Sequence, residues 1–146
     1  MSLHGEYDDQ NIFAKILRRE ASAIIVHEDD DTMTFMDVFP QSRGHVLIVP
    51  KSPARNILEI EDAPLQALIV QVKRVAKAVE KALNPDGVFV GQFNGAEAGQ
   101  TVHHIHFHVI PRYKGRDMGR HGEDRADDEA LKKLADDIGI ALSELD

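Results

Sequence analysis

Histidine residues are concentrated in one short segment of the chain. Four of the 8 histidines lie between residues 103 and 108. Because successive side chains of a β-strand point to opposite faces, a strand through this segment would place His104, His106 and His108 on one face and the intervening apolar residues on the other. Three imidazoles in register need polar partners wherever they are buried or half-buried. The pattern therefore predicts a functional site on the polar face of a strand.

Two kinds of chemistry use such a row of imidazoles. The three rings could ligate a metal ion such as zinc, with a fourth ligand or an open water position completing the site. Alternatively, one ring could act as a nucleophile or an acid and base while its neighbours position it. The histidines by themselves leave both kinds of site open.

The residues around the histidines resemble the signature of the histidine triad family of nucleotide hydrolases and transferases. In that signature three histidines alternate with apolar residues and two further apolar residues follow. The likeness includes the flanking residues, and other stretches resemble the family's shared motifs in the same order: 12–17, 35–40, 44–51 and 97–112. Several ordered motifs are more specific than one short pattern. The resemblance covers residues 11–112.

The resemblance implies a reaction and a role for each histidine. His106 would attack the α-phosphorus of a purine nucleotide and form a covalent nucleotidyl-histidine, which water then cleaves. His104 and His108 would orient His106 and stabilise the phosphoryl oxygens, and His45 matches the family's additional histidine. The substrate would be a nucleoside phosphoramidate or a dinucleoside polyphosphate, with AMP as a product, because the chain has features of both the phosphoramidase and the fragile histidine triad branches.

The resemblance also implies a nucleotide pocket formed by the first half of the chain. Phe13 and Ile16 would line the base site. Asp37 would accept hydrogen bonds from the ribose hydroxyls, with Phe35 and Val38 beside it. On residue type alone, Phe13 is equally typical of a hydrophobic core. The two roles are compatible.

Residues 94–101 are expected to form a phosphate loop. Glycines such as Gly99 allow the backbone to approach a ligand closely. Gln100 and Thr101 would supply side-chain donors, and backbone N–H groups would add others. Asn94 is our choice for the amide residue that the family places before this loop, and Phe93 is the alternative occupant of that position.

The elements that must position these residues follow from periodicity and turn signals. Strands are predicted at 23–28, 32–37, 45–49 and 87–93 and through the triad segment. A short helix is predicted from Asn11, a long helix from an N-cap at Asp62 to Asn84, and a C-terminal helix through 131–142. Clustered strands interrupted by one long helix favour an α+β fold with a largely antiparallel sheet. The resemblance adds that the sheet is five-stranded and the protein a homodimer.

Length and composition limit the class of protein. The 146 residues favour one domain, here a flexible N-terminus (1–10), the domain itself (11–112), and a charged loop with the C-terminal helix (113–146). No stretch is apolar enough to span a membrane, and the N-terminus lacks a signal-peptide pattern, so a cytoplasmic protein is expected. A net charge of −8 disfavours binding to nucleic acid or an anionic membrane surface.

No metal or other cofactor is expected. Some relatives bind structural zinc through a Cys-x-x-Cys pair, and the corresponding positions here are Asn11 and Ala14. The chain contains no cysteine, so His45 and one triad histidine would remain as ligands, and two imidazoles make a poor closed zinc site.

Three other classes of protein are alternatives to a nucleotide hydrolase. A zinc hydrolase or a cupin-like metal site would use the same three histidines, but the all-β cupin pattern does not accommodate the long helix. A uridylyltransferase would have proline between the first two triad histidines, where this chain has Ile105. A nucleotide-binding regulator without turnover would need the same pocket, and the sequence hardly argues against it.

Overall fold

The five strands in the described part of the chain form one antiparallel sheet. The computed structural model describes residues 2–118 and 124–145. In chain order the elements are α1 (Ile12–Leu17), β1 (Ile25–Glu28), β2 (Thr32–Met36), β3 (Val46–Pro50), α2 (Asp62–Leu83), β4 (Gly87–Gly91), a single 3-10 turn (Ala96–Ala98), β5 (Phe107–Arg112) and α3 (Asp128–Ser143). The strand order is β1-β2-β3-β5-β4, and every neighbouring pair is antiparallel. The predicted α+β fold with a five-stranded sheet is confirmed.

The alternation of side chains along the central strands divides the hydrophobic residues between the two faces of the sheet. On one face Val46 and Ile48 of β3 pack with α2 and α3 in the larger core cluster. On the other face Leu47 and Val49 pack with Phe13 of α1 in a smaller cluster. The second cluster lies beside the triad, so α1 covers the face of the sheet that carries the candidate site.

The long helix ends where predicted, but its N-cap lies one residue earlier than predicted. Its N-cap is Glu61, which makes no side-chain capping hydrogen bond, and Asp62 is the first helical residue. The prediction of Asp62 as N-cap was therefore wrong, although its carboxylate still lies in the first turn, where it suits the helix dipole. At the other end Asn84 adopts a left-handed conformation (φ 49°) and donates its N–H to the Glu80 carbonyl.

The strand through the triad is shorter than predicted. β5 begins at Phe107, so His104 and His106 precede it in a bent segment, and His108 alone of the three lies within the strand. Likewise β4 ends at Gly91 rather than at residue 93, and β3 includes Pro50, which ends it because proline has no N–H to donate.

The C-terminal helix packs directly on the first strand. Its N-cap is Asp127, whose carboxylate accepts from the Ala130 N–H. A Cβ atom at Gly139 would lie 3.2 Å from the carbonyl oxygen of Val26. Glycine at this position therefore permits the close approach of α3 to β1. From the sequence alone, Gly139 was only a residue of low helix propensity within the predicted helix.

The N-terminal residues make specific contacts that the sequence did not suggest. The guanidinium group of Arg55 donates to the carbonyl oxygens of Ser2 and Glu6, and the Asn56 amide donates to that of Leu3. These bonds join residues 2–6 to the 55–56 loop, and the flexibility expected of residues 1–10 stays a prediction.

Part of the charged stretch at 112–128 lies outside the described residues, which omit 119–123. On either side of that gap, most residues from 114 to 128 are exposed, as expected for a surface loop. Within the described ranges, no helix is long and apolar enough to cross a membrane.

Candidate active site

The three triad histidines are all buried, with exposed fractions of 1%, 6% and 5% for His104, His106 and His108. The His106 and His108 rings are neighbours, with centroids 5.0 Å apart and planes tilted by 58°. The His104 ring instead contacts the Tyr7 ring edge-on at 5.7 Å. The expectation that one strand carries all three imidazoles was therefore wrong, because the chain bends before β5 and gives His104 a separate set of contacts.

The contacts of His104 determine its tautomer. Its Nε2 lies 2.8 Å from the carbonyl oxygen of Pro50, which can only accept, so Nε2 carries the hydrogen. Its Nδ1 then holds a lone pair, and the Tyr7 hydroxyl donates to it at 2.6 Å. Burial lowers the pKa of His104 below its ordinary value of 6.5, and this effect outweighs the opposing hydrogen bond to Pro50. His104 is therefore a neutral ring held at both nitrogens.

The backbone of His104 in turn orients His106. The Nδ1 atom of His106 lies 2.8 Å from the His104 carbonyl oxygen, so Nδ1 is the donor. In the neutral ring the lone pair is consequently on Nε2. The ring of Phe13 lies edge-on to that of His106, with centroids 4.8 Å apart and planes at 83°. A neutral imidazole with a fixed Nε2 lone pair is what nucleophilic attack requires.

His108 is the opposite tautomer to His106 because of its contact with His45. The Nδ1 atom of His45 accepts from the Gln41 N–H at 3.1 Å, so its Nε2 carries the hydrogen. That Nε2 lies 3.0 Å from Nδ1 of His108 and donates to it, which leaves the hydrogen of neutral His108 on Nε2. An oxygen of Asp37 lies 3.5 Å from His45 Nε2, and the other Asp37 oxygen accepts from the Phe39 N–H.

A cleft of about 410 Å³ opens beside α1 and the end of β2. Its wall includes all five of the residues assigned to the base and ribose by the resemblance: Phe13, Ile16, Phe35, Asp37 and Val38. The Phe13 and Phe35 rings meet edge-on at 5.4 Å. Among the described residues that line the cleft, Asp37 supplies a single buried carboxylate beside an apolar wall, and Phe13 of that wall contacts the ring of His106.

Arg125 and Val102 also line this cleft, and the sequence analysis missed them. Arg125 lies in the charged stretch, and the Ala126 N–H donates to the carbonyl oxygen of Val38 and so holds this part of the chain at the cleft. No local pattern could have revealed a contact between segments so far apart in sequence.

The loop before the triad differs in detail from the expectation. Gln100 is buried, its Nε2 donates to the carbonyl oxygens of Arg55 and Val102, and its Oε1 accepts from the Gly95 N–H. The Gln100 amide donors thus brace the loop, and their predicted contact with a phosphate stays a prediction. Thr101 is exposed, and Gly99 adopts a positive φ of 111°.

The two candidates for the position before the loop, Asn94 and Phe93, make different contacts. The amide oxygen of Asn94 accepts from the Ile57 N–H and from the Gln92 amide, so Asn94 fastens the loop to residue 57. The ring of Phe93 lies 5.5 Å from that of His108. Phe93 is therefore the residue with a direct ring contact to the triad.

The two positions that the resemblance aligns with a zinc-binding cysteine pair carry no thiolate in this chain. There, Asn11 caps α1 by accepting from the Ala14 N–H, and Ala14 has no ligand atom. Among the described residues, the ligand atoms of Asp37, His45 and His108 lie within 4.8 Å of one another. Our count of two remaining imidazole ligands therefore overlooked a buried carboxylate. Metal independence stays a prediction.

Comparison with known proteins identifies the family. Residues 18–115 match the HIT domain. An uncharacterised HIT-like protein of Methanocaldococcus jannaschii is 41% identical over 104 residues, which are 71% of this chain and 80% of that protein. A Hit-like protein of Bartonella henselae, described as involved in cell-cycle regulation, is 43% identical with a TM-score of 0.90, covering 94% of this chain and 99% of the other.

Two further solved structures carry functional descriptions of their own. A zinc-bound histidine triad family protein of Mycobacterium smegmatis is 28% identical, with a TM-score of 0.82 and coverage of 93% and 95%. A HIT family hydrolase of Clostridium thermocellum is 30% identical, with a TM-score of 0.65 and coverage of 75% and 96%. The domain match, these similarities and the triad geometry together show that the chain belongs to the HIT domain family.

Proposed function

We propose that this protein is a nucleotide hydrolase that cleaves purine nucleotides at the α-phosphate through a covalent intermediate on His106. The observation that carries the proposal is that two adjacent imidazoles are opposite tautomers. His106 has its lone pair on Nε2, and His108 has its hydrogen on Nε2. One ring can attack phosphorus while the other donates to a phosphoryl oxygen. The similarity to a HIT family hydrolase supports catalysis over binding alone.

The proposed reaction has two displacements. In the first, Nε2 of His106 forms a bond to the α-phosphorus, and the bond to the leaving group breaks. An amine leaves from a phosphoramidate and takes a proton from solvent, whereas a nucleotide leaves from a dinucleoside polyphosphate. In the second, water attacks the phosphorus, the P–N bond to His106 breaks, and AMP and a proton are released. Splitting one difficult hydrolysis into two steps is the advantage of a covalent nucleophile.

In the intermediate, the positively charged His106 ring is stabilised by a hydrogen-bond acceptor that is already in place. Once Nε2 is bonded to phosphorus the ring becomes an imidazolium that keeps its hydrogen on Nδ1, and that hydrogen already donates to the His104 carbonyl oxygen. The carbonyl dipole is oriented before the charge develops, so no reorganisation is required. The base would lie against Phe13 and Ile16, and the ribose hydroxyls would donate to Asp37.

We also propose that the protein is a homodimer. β4 is an edge strand, and its Phe89 and Val90 point to opposite faces yet are 40% and 43% exposed. On α2, Ile69 and Val70 are exposed too. Apolar side chains next to an unpaired strand edge favour association with a second copy.

The proposal is tested by measuring AMP release from adenosine phosphoramidate and from diadenosine polyphosphates. We expect turnover of at least one substrate class, retained after exhaustive chelation and lost in His106→Ala. If the wild-type protein binds AMP but releases none from either class, it is a nucleotide-binding regulator instead. If stoichiometric zinc is found and its removal abolishes activity, the metal-independent mechanism is wrong.

A further inference from the structure

Tyr7 makes a hydrogen bond to the triad from outside the family motifs. Its hydroxyl lies 2.6 Å from Nδ1 of His104 and 3.0 Å from the Asn11 amide nitrogen. Because His104 Nδ1 has only a lone pair to offer, the Tyr7 hydroxyl donates to it and accepts from Asn11. Burial raises the pKa of Tyr7 above its ordinary value, so the hydroxyl keeps its proton at neutral pH.

This hydrogen bond completes a chain of contacts that ends at His106. Tyr7 and the Pro50 carbonyl hold the His104 ring at its two nitrogens, and the His104 carbonyl accepts from Nδ1 of His106. A ring held at both ends cannot rotate about its side-chain bonds without breaking a hydrogen bond. Because one residue supplies both the ring and the carbonyl, the position of the His104 ring constrains the acceptor that orients His106.

The segment that carries Tyr7 is itself fastened to the loops around the site. The Ser2 hydroxyl accepts from the Ala96 N–H in the turn before the triad. Arg55 donates to the carbonyl oxygens of Ser2 and Glu6. Residues 2–11 therefore form a strap, defined here by these bonds and by the Tyr7 contact, that joins the 55–56 and 95–96 loops to His104.

We propose that Tyr7 is a positioning residue for the His104–His106 pair, held in place by the N-terminal strap. The inference rests on the proposed function, because its effect on rate requires that His106 is the nucleophile. Tyr7 is not among the residues that line the cleft, so we expect its removal to change the orientation of the nucleophile rather than the binding of a nucleotide.

The test compares Tyr7→Phe with Tyr113→Phe. Both substitutions remove one hydroxyl and keep the ring, and Tyr113 donates to the Arg43 carbonyl oxygen at 2.8 Å, away from His104. We expect kcat to fall about tenfold or more in Tyr7→Phe, in line with the loss of a partner that orients a reactive group. The KM and the AMP dissociation constant should stay within about twofold of wild type. Tyr113→Phe should keep the wild-type kcat.

A second readout follows the hydrogen bond itself. In ¹⁵N spectra of the imidazoles, with His104 assigned through a His104→Gln variant, its Nδ1 resonance should move downfield in Tyr7→Phe and not in Tyr113→Phe. An unchanged kcat in Tyr7→Phe would overturn the inference, and so would an equal loss in both variants. If the wild-type protein turns over neither substrate class, the proposed function fails, and an unchanged His104 resonance in Tyr7→Phe would separately refute the contact.

Discussion

Nε2 of His45 lies 3.0 Å from Nδ1 of His108, although the two residues are 63 positions apart in the chain. Both rings are buried, and an oxygen of Asp37 lies 3.5 Å from the donating nitrogen. This contact leaves the hydrogen of neutral His108 on Nε2, whereas the contact of His106 with a backbone carbonyl leaves a lone pair on Nε2 of that ring. Two adjacent histidines thus acquire different chemical roles from different partners.

His45→Phe should reduce kcat by about 100-fold, because His108 loses the donor that fixes its tautomer. His45→Gln should reduce it less, since the Gln amide can still donate in the direction of His45 Nε2. Steady-state kinetics on the preferred substrate would measure both. Equal losses in the two variants would mean that the ring's packing matters, not its hydrogen bond.

His106→Ala should lower kcat by at least about three orders of magnitude, since removing a covalent nucleophile blocks the first displacement. AMP should still bind within a few-fold of wild type, because the cleft of Phe13, Ile16 and Asp37 remains. Equilibrium binding and a sensitive AMP-release assay would show both effects. His27→Ala, at a partly exposed histidine, is the matched control.

Acid-quenched wild-type enzyme given labelled substrate should carry the nucleotidyl group on His106. Peptide mapping would locate it. Label on His104 or His108 would reassign the nucleophile.

The alternation of histidine with apolar residues predicted the candidate site because it follows from backbone geometry alone. Ile105, Phe107 and Val109 do enter the larger core, as that alternation requires. The pattern could not show that the chain bends before Phe107, because the bend lets His104 bond to Pro50 and Tyr7, which are far away in sequence. Helical periodicity likewise predicted α2 well, since its stripe of apolar residues is a local property.

Contacts between distant segments account for what the sequence did not reveal. Asp37 and His45 were each assigned a separate role, and their convergence on His108 depends on the pairing of β3 with β5. Arg125 reaches the cleft because of a backbone hydrogen bond between Ala126 and Val38. No local signal encodes such pairings.

The stability of the protein should fall as the pH is lowered through the range in which histidine titrates. Burial lowers the pKa of His104 in the folded state, so the unfolded chain binds its proton first. Its contribution is therefore fully present above the unfolded pKa of 6.5 and is lost as pH falls toward the lower folded pKa. One such group changes the unfolding free energy by at most about 1.4 kcal/mol per pH unit.

Urea unfolding of wild type and His104→Gln between pH 7.5 and about 5 would isolate this contribution. The variant should be less stable at neutral pH but show a shallower loss on acidification. Parallel pH profiles would contradict the assignment of a lowered pKa to His104.

Gly44→Ala should destabilise the fold by about 2–3 kcal/mol, combining a strained backbone with overpacking. Gly44 has a φ of 93°, and a Cβ there would overlap Cδ1 of Leu83 and lie 3.1 Å from Cγ of Pro111. Gly115→Ala separates the two effects, since Gly115 also has a positive φ of 80° but a Cβ there meets no atom of the described residues within 4 Å. Gly115→Ala should cost about 1 kcal/mol. Equal losses in urea unfolding would exclude a role for the Leu83 overlap.

Substituting a charged residue at the β4 edge should convert the proposed dimer to a monomer. Phe89 is 40% exposed on an edge strand, and Glu at this position would place a carboxylate in the apolar contact between copies. Sedimentation should give about twice the chain mass of 16.3 kDa for wild type and that mass itself for Phe89→Glu. Ile140→Glu is the matched control, because Ile140 is 59% exposed on α3, which packs against α2, β1 and β2 and makes no substantial contact with β4. If Ile140→Glu dissociates the dimer and Phe89→Glu does not, the interface lies on the helical side of the molecule, and the unpaired edge of β4 is not what brings two copies together.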